Sequence, residues 1–339
     1  MKKKLMILLI LSLILTSCFP NKKNTSIIKE KNNVRNTLPT SVWAVYWDIE
    51  QVPTEIESMK DSIEEISYFA AYFNKDNELF IPENIAKLHL SLKDRLKDNN
   101  ILHYLSIVND KINEEGSSSL KDRDLLYDLL TKEENKEQHI DKILSLCLEN
   151  GYDGIEIDYE GLKNDEILWL YFLEFCDSLW ETLDSYGLNM RIILEPSTPI
   201  DEYDFPHGPT YVMMCYNLHG SHSGPGPKAN REFLQKLSQK MKKITGNINF
   251  ALATGGFDWD SQGKVISLTK EEAIKLIKIY DAKPIRDDES YSIFFNYKDD
   301  KDIEHEVWFA DDRTLDYWMD ILKIDGHKKF SLWRLGGNM

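Results

Sequence analysis

Short apolar runs alternate with longer amphipathic stretches along the chain from residue 40 onward. Apolar runs of about four to eight residues are typical of buried strands, and apolar residues at helical spacing are typical of helices that cover a sheet. Eight runs have the strand pattern: residues 42–47, 65–73, 101–108, 154–160, 190–196, 210–217, 248–254 and 330–334. Helical patterns fill most of the intervals: residues 82–97, 122–150, 165–186, 229–244 and 313–324.

Strands that alternate with helices predict a parallel sheet with helical crossovers. We expect an α/β fold, a (β/α)8 TIM barrel over residues 40–339, with an insertion at about 258–308 between the seventh and eighth strands. A helical pattern at 270–280 and aromatic runs at 291–297 and 303–309 predict a helix and a hairpin there, or alternatively a plain surface excursion. An open doubly wound sheet is the other architecture, but no glycine-rich phosphate turn follows the first strand.

One predicted strand carries a row of acidic side chains. Glu156, Asp158 and Glu160 occupy alternate positions after Asp153, so we expect them to line one face. Stacked like charges repel, and at least one should keep its proton near neutral pH. The row therefore predicts acid–base chemistry, with Glu160 as the general acid. A solvated edge strand and a divalent-cation site are the alternatives, although hard cations usually draw ligands from loops.

The same run resembles the signature of glycoside hydrolase family 18, Asp-x-x-Asp-x-Asp-x-Glu. Asp153, Asp158 and Glu160 match it, and Glu156 stands where the family usually has aspartate. The resemblance covers most of residues 42–337 and is strongest at the fourth, sixth and eighth predicted strands. It implies the barrel fold, Glu160 as the acid, Asp158 as its catalytic partner, and Asp153 and Glu156 as supporting residues.

Two further strand ends resemble the family. Residues 214–217, Met-Cys-Tyr-Asn, resemble Met-x-Tyr-Asp, with Asn217 in place of the acid. The resemblance implies that Tyr216 binds the substrate acetamido oxygen, that Asn217 supports it and that Met214 contacts substrate. Trp333, on the closing strand, would form the floor under the scissile sugar. For Tyr216 and Trp333, burial in the barrel core is the alternative.

Loops after the predicted strands supply the remaining candidates. Residues 255–259 follow the seventh strand, and we expect Asp258 and Trp259 to contact a sugar there. Residues 109–110 and 195–197 are expected at the rim, as hydrogen-bonding groups or as plain loop. Residues 306–312 resemble a segment of family members that act on peptidoglycan, with Asp312 alternatively a helix cap.

Two histidines, His219 and His222, lie in the loop after the sixth strand, close enough to the predicted cleft to touch substrate. A zinc pair is the alternative, but no third ligand stands at a recognisable spacing. We expect neither a metal nor an organic cofactor.

The mechanism implied by the resemblance is substrate-assisted hydrolysis with retention, in which the 2-acetamido oxygen of the sugar is the nucleophile. Glu160 protonates the glycosidic oxygen and later acts as base toward water, while Asp158 and Tyr216 hold the acetamido group. The implied partner is a polysaccharide or oligosaccharide that contains N-acetylglucosamine, such as peptidoglycan or a chitin-like β-1,4-linked chain. A non-catalytic sugar-binding protein remains the competing hypothesis, because Glu156 and Asn217 depart from the pattern.

The start of the chain predicts export. Residues 1–17 combine a basic start with a short apolar core, which is typical of a secretory signal. Residues 15–18, Leu-Thr-Ser-Cys, resemble a bacterial lipobox, so we expect lipidated Cys18 to anchor the chain at the extracytoplasmic face of the cell membrane. An ordinary signal or an uncleaved anchor is the alternative. Residues 18–39 are expected to be a flexible tether. A structural or adhesive lipoprotein, without affinity for acetamido sugars, is the third hypothesis for the function.

Charge and cysteine content narrow the function classes. The formal net charge is −16, and loss of the three leader lysines takes it to −19. Nucleic acid is therefore not expected as a partner, since phosphates would be repelled. Beyond Cys18, the three cysteines Cys147, Cys176 and Cys215 lie in apolar segments and cannot all pair, so we expect buried thiols.

Overall fold

The computed structural model describes residues 39–112 and 118–337; the predicted signal, Cys18 and residues 18–38 of the tether lie outside the described residues. The described residues form fifteen strands: β1 Ser41–Val45, β2 Glu65–Phe73, β3 Leu79–Phe80, β4 Leu102–Ile112, β5 Ser118–Ser119, β6 Gly154–Asp158, β7 Asn189–Leu194, β8 Thr210–Met214, β9 Asn247–Ala253, β10 Gly255–Asp260, β11 Val265–Leu268, β12 Ile285–Arg286, β13 Ile293–Lys298, β14 Glu304–Ala310 and β15 Phe330–Trp333. They also form eight α-helices: α1 Val52–Met59, α2 Glu83–Arg95, α3 Arg123–Leu130, α4 Glu133–Asn150, α5 Glu166–Ser185, α6 Arg231–Met241, α7 Lys270–Ile279 and α8 Asp312–Ile324.

Eight of the strands close into a barrel. Each is hydrogen-bonded in parallel to the next, in the order β1, β2, β4, β6, β7, β8, β9 and β15. The ring closes because β1 pairs on both sides, with Ser41 opposite Glu65 on β2 and Ser331 on β15. Helices pack on the outside, and the predicted (β/α)8 barrel is confirmed.

The barrel interior is filled by side chains in layers, as is usual for this fold. Near the mouth, the end where the carboxyl ends of the strands meet, the interior is an apolar cluster: Trp43, Ile193, Val212, Met214 and Ala251. Toward the other end, the fully buried side chains of Glu156 and Arg191 make the interior polar. The opposite positions of each strand face the helices and form the large outer core. Open space is therefore concentrated at the mouth.

Several predicted boundaries differ from the structure. Strands β6, β7 and β8 end two or three residues before the predicted ends, because the chain leaves the ladder there to enter the loops at the mouth. The single helix predicted over 122–150 is two helices, α3 and α4. The first ends at Thr131, whose hydroxyl and backbone N–H both donate to the carbonyl of Tyr127, at 2.7 and 3.2 Å.

The insertion is larger than predicted. It is a five-stranded antiparallel sheet in the order β11, β10, β14, β13, β12, with α7 packed on it. The predicted helix and hairpin are present as α7 and β13–β14, but residues 255–260, expected as a loop, form β10. Close pairing of β10 with β14 requires glycine, because a Cβ on Gly256 would lie 1.7 Å from the carbonyl oxygen of Trp308. The insertion therefore begins at Gly255.

Two smaller points complete the fold. Helix α8 is capped by Asp311, whose carboxylate accepts the Thr314 N–H at 2.9 Å; Asp312, the residue predicted as the cap, is the first residue of the helix and pairs with Lys270 at 3.1 Å. Within residues 39–112 and 118–337, no helix has the length and apolarity needed to cross a membrane.

Candidate active site

A cavity of about 710 Å³ opens at the mouth of the barrel. Its wall includes six residues from different loops and strand ends: Lys121, Glu195, Tyr216, Lys228, Phe257 and Trp333. Enzymes with this fold place their active sites at this end of the barrel. The cavity is therefore the candidate active site.

Asn109 at the end region of β4 fixes the backbone of Glu160. Its Oδ1 accepts the Glu160 N–H at 2.9 Å, and its Nδ2 donates to the Glu160 carbonyl at 3.0 Å. Strand β6 has already ended at Asp158, so these two bonds replace the ladder that Glu160 lacks. Glu160, predicted as the last strand residue, lies just beyond the strand in a defined orientation.

The Glu160 carboxylate lies beside a cation and a second acid. Lys121 Nζ forms an ion pair with it and lies 3.7 Å from Oε1 of Glu195. Burial raises the pKa of Glu160 to about 7 against the opposing effect of Lys121, and Glu195 adds to the rise. A carboxyl group with a pKa near 7 can both donate and accept a proton at neutral pH, as a general acid–base residue must.

Asp158 is the last residue of β6, two positions before Glu160. Burial, followed by the charges of Glu160 and Glu156, raises the pKa of Asp158 well above its usual range. Two carboxyl groups that interact this strongly titrate as a pair. Asp158 Oδ1 is buried and accepts no hydrogen bond from the described residues, so it is available to a substrate N–H group.

Glu156 is the structural member of the acidic row. It is fully buried, and its carboxylate accepts hydrogen bonds from Trp43 Nε1 at 2.6 Å, Ser67 Oγ at 2.9 Å and Ser106 Oγ at 2.5 Å. Arg191 Nε lies 2.9 Å from its Oε2. The charge of Glu156 is therefore neutralised inside the barrel, below the cavity.

The structure does not bring Asp153 to the cavity. It precedes β6 at the opposite end of the barrel, where its Oδ2 accepts the backbone N–H of His103 at 2.9 Å. At roughly 3.3 Å per residue, the five residues of β6 put it about 16 Å from Asp158. Asp153 therefore links the start of β6 to β4 through this hydrogen bond. No contact with Asp158 or Glu160 supports the role that was predicted for it.

The structure brings Tyr216 and Trp333 together at the wall of the cavity. Their rings stack with centroids 6.5 Å apart and planes 15° apart. Trp333 also meets Trp43 and Phe69 edge-on, at 5.8 and 5.0 Å. Met214 is buried in the interior cluster beneath these rings, so it supports the aromatic floor without lining the cavity.

The hydroxyl of Tyr216 is a hydrogen-bond donor at neutral pH. Burial, and then the charges of Asp158 and Glu160, raise the pKa of Tyr216 well above its usual range. Asn217, the next residue, is exposed at the cavity wall, with its Nδ2 3.8 Å from the sulfur of Met214. It therefore has capacity for a further hydrogen bond.

The insertion residues Asp258 and Trp259 go to different places. Trp259 lines a second cavity of about 1050 Å³, which shares the loop around His222 with the first cavity. Asp258 points to the opposite face of the sheet, where its carboxylate accepts the Tyr297 hydroxyl at 2.6 Å and lies 2.9 Å from His305 Nδ1. The structure does not bring Asp258 to either cavity, because this network occupies its carboxylate.

His219 and His222 both line the first cavity, as expected from their loop. His219 Nδ1 lies 3.2 Å from the carbonyl of Gly224. No group of three metal-ligating side chains occurs within residues 39–112 and 118–337.

Three residues important to the site carried no predicted role: Lys121, Lys228 and Arg191. Arg191 had a signal, since an arginine within an apolar strand run needs a buried acid. Lys121 had none, because it lies 39 positions before Glu160. Lys228 had none either, because lysine is ordinary in a polar loop.

Comparison with known sequences finds relatives that are named as glycosylases, one of them as an uncharacterized glycosylase, and as cortical fragment-lytic enzymes. The chain is 26% identical over 210 residues to the glycosylase YvbX of Bacillus subtilis, which covers 57% of this chain and 60% of that protein. It is 31% identical over 140 residues to the cortical fragment-lytic enzyme of Bacillus anthracis, which covers 37% of this chain and 31% of that protein. The matches therefore span less than two thirds of either relative. No protein-family profile matches the chain.

Solved structures share the fold. The spore cortex-lytic enzyme SleL of Bacillus cereus superposes with a TM-score of 0.74 at 20% identity, covering 90% of this chain and 72% of that one. A chitinase of Chromobacterium violaceum gives 0.74 at 18% identity, covering 89% and 96%. A GH18 chitinase of Cycas revoluta, solved in complex with (GlcNAc)3, gives 0.67 at 14% identity, covering 88% and 95%.

The chain is thus related in sequence to bacterial glycosylases and cortical fragment-lytic enzymes, and it has the barrel fold of glycoside hydrolase family 18 chitinases.

Proposed function

We propose that this protein is a glycosidase that cleaves glycans next to N-acetylglucosamine, with retention and with the substrate acetamido group as nucleophile. One observation carries the proposal: the carboxyl groups of Asp158 and Glu160 follow one another at the mouth end of β6, both with raised pKa values, and the pKa of Glu160 is about 7. The stacked Tyr216 and Trp333 rings beside the pair offer an apolar surface for a sugar ring. The names of the sequence relatives agree with this reaction class.

Each step of the reaction has a residue suited to it. Protonated Glu160 donates its proton to the glycosidic oxygen as the acetamido oxygen attacks the anomeric carbon; the bond between that carbon and the glycosidic oxygen breaks, and the leaving sugar departs with a new hydroxyl group. Asp158 accepts the acetamido N–H through its free oxygen and stabilises the positive charge of the cyclic intermediate. The Tyr216 hydroxyl donates to the acetamido oxygen. Glu160, now ionised, then takes a proton from a water molecule that attacks the anomeric carbon; the bond to the acetamido oxygen breaks, which restores the acetamido group and completes hydrolysis with retention.

The proposed substrate is a β-1,4-linked chain that contains N-acetylglucosamine, with peptidoglycan preferred over chitin. Support comes from the cortical fragment-lytic relative and from the fold shared with the spore cortex-lytic enzyme SleL.

The test is release of a fluorescent aglycone from chitobiose and chitotriose conjugates by the full chain, purified in detergent. Glu160→Gln is the test variant, and Glu202→Gln, at an exposed acid away from the cavity, is the matched control. We expect turnover by the wild type and the control, and loss in Glu160→Gln. Conjugates whose acetamido groups are replaced by free amines should not react, because they lack the nucleophile. Equal turnover by Glu160→Gln would contradict the proposal.

One observation favours a second function, that of a sugar-binding protein. Lys121 occupies Glu160 through an ion pair, which opposes protonation of the acid. If the protein only binds sugars, calorimetry should detect binding of chitotriose, and no product should be released from chitotriose or from purified peptidoglycan.

We also propose that the chain is exported and lipid-anchored at Cys18. The basic and apolar residues 1–17 and the lipobox-like residues 15–18 support this. Metabolic labelling with a radioactive fatty acid should mark the wild-type protein and not Cys18→Ala; labelling of both variants would contradict the anchor.

A further inference from the structure

Lys228 is a cation on the cavity wall for which no acidic partner is found in the described part of the chain. It lines the same cavity as Tyr216 and Trp333 and is only partly exposed. Its Nζ donates to the carbonyl of Thr254 at 2.8 Å and lies 5.4 Å from the ring centroid of Phe257. An ammonium group has three N–H donors, so two remain for other acceptors.

The catalytic carboxyl groups do not neutralise Lys228. Asp158 ends β6 and Glu160 follows it, whereas the Thr254 carbonyl that accepts from Lys228 follows β9, three strands further round the barrel. Glu160 already has a cation of its own, Lys121. The wall of the cavity around Lys228 is therefore short of negative charge.

The pKa of Lys228 agrees with this electrostatic picture. Burial, followed by the charge of the neighbouring Arg334, lowers the pKa of Lys228 to about 7. Arg334 itself is paired with Asp48. An anion bound beside Lys228 would favour its charged form, and buried ionisable groups with shifted pKa values are frequent at functional sites.

We propose that Lys228 binds a carboxylate carried by the sugar chain, and that it thereby selects acidic N-acetylhexosamine polymers over neutral ones. The chemical class is a sugar with a carboxylic acid on an ether side chain, such as a lactyl ether. The inference rests on the proposed function, because it assumes an acetamido sugar above Trp333. A local cation is needed for such a substrate, since the chain as a whole has a net charge of −16 and repels acidic polymers.

The test compares two oligosaccharides that differ only in charge. One alternates N-acetylglucosamine with its lactyl ether derivative as the free acid, and the other is the methyl ester of the same compound. The ratio of kcat/KM for the acid to that for the ester is measured for the full chain and for Lys228→Gln, which keeps a donor for the Thr254 carbonyl. Lys228→Arg tests rescue by a cation. Lys163→Gln is the control, because Lys163 is an exposed lysine of the same cavity.

We expect a wild-type ratio of about 10 to 100, the usual value of one charge-assisted hydrogen bond. The ratio should approach one in Lys228→Gln, persist in Lys228→Arg and stay near the wild-type value in Lys163→Gln. A ratio near one in the wild type, or an unchanged ratio in Lys228→Gln, would overturn the inference.

Binding separates failure of this inference from failure of the proposed function. If the wild type hydrolyses neither oligosaccharide, the proposed function fails, and the affinities of the acid and the ester are compared by calorimetry. A preference for the acid that disappears in Lys228→Gln supports the carboxylate site without catalysis. Equal affinities, or no binding of either compound, overturn it. Circular dichroism melting confirms that each variant is folded.

Discussion

Glu156 and Glu160 lie four positions apart in one acidic run, yet their surroundings differ: Glu156 lies in the barrel interior and Glu160 at the barrel mouth. Glu156 is fully buried and meets three hydrogen-bond donors and the guanidinium of Arg191. Glu160 lies beyond the strand, beside Lys121 and another carboxylate, and its pKa is about 7. A carboxylate that is paired with a buried guanidinium and three hydrogen-bond donors serves the structure, whereas a carboxyl group with a pKa near 7 can move protons at neutral pH.

The largest effect should come from removing the proton of Glu160. Glu160→Gln keeps the shape of the side chain but cannot transfer a proton, so we expect kcat to fall by about 10² to 10⁴. The free energy of unfolding should change by less than about 1 kcal/mol, because the backbone bonds to Asn109 remain. Turnover assays measure the change in kcat, and urea denaturation measures the change in the free energy of unfolding. A large loss of stability without loss of rate would reverse the comparison.

Substitution in the barrel interior should lower the stability of the protein. Arg191→Met leaves the carboxylates of Glu156 and Glu65 without their shared cation, and breaking a buried pair in this way costs about 3–5 kcal/mol of unfolding free energy. Lys243→Met is the control: it breaks an exposed pair with Asp201 and should cost no more than about 1 kcal/mol. Equal losses in the two variants, measured by urea denaturation, would show that burial does not matter here.

A buried histidine, His139, packs against Tyr159 on the outer side of the barrel wall and offers a third environment to compare. His139 Nε2 lies 2.7 Å from the Tyr159 hydroxyl, and burial lowers the pKa of His139 from 6.5 to about 3. The unfolded chain therefore binds the extra proton first, and stability is lost as the pH falls below 6.5. His139→Gln removes this proton, so the stability gap between variant and wild type should change by about 2 kcal/mol between pH 7 and pH 5. Denaturation at both pH values measures it, and a constant gap would contradict the prediction.

The smallest effect concerns the cation at the mouth. Lys121 lowers the pKa of Glu160, which is about 7, and the acid must be protonated to act. Activity should therefore decline above about pH 7, and Lys121→Met should move this decline to higher pH. The pH profile of kcat/KM is the measurement, with Lys163→Met as the control at an exposed lysine of the same cavity. A shift to lower pH would mean that Lys121 does not act through Glu160.

The sequence predicts most of the barrel because its signals are local. Each barrel strand is an apolar run, and each covering helix has its own amphipathic pattern, so eight strands could be placed within a few residues. The break between α3 and α4 was missed, because a single residue, Lys132, adopts an extended backbone between two helical patterns. The strand β10 was missed as well, because two glycines read as a loop until a partner strand lies beside them.

The candidate site divides in the same way. Asp158, Glu160, Tyr216 and Trp333 were predictable, because strand ends of a parallel barrel meet at one end and the motifs stand there. Asp153, predicted to support Asp158, and Asp258, predicted to contact a sugar, both lie elsewhere in the structure. Position near a motif does not say which end of the barrel or which face of a sheet a side chain occupies. Lys121 and Lys228 reach the cavity from loops that carry no pattern.

By itself, the sequence determined the barrel, the position of the acidic row and the residue types available for acid–base chemistry, because these follow from hydrophobic period and spacing along one segment. Only the tertiary structure decided which acid is paired with a cation in the barrel interior and which lies at the mouth with a raised pKa. That choice depends on Arg191 on β7 and Lys121 beyond β5, and the electrostatic field at a carboxyl group is set by charges and burial from strands far apart in the chain.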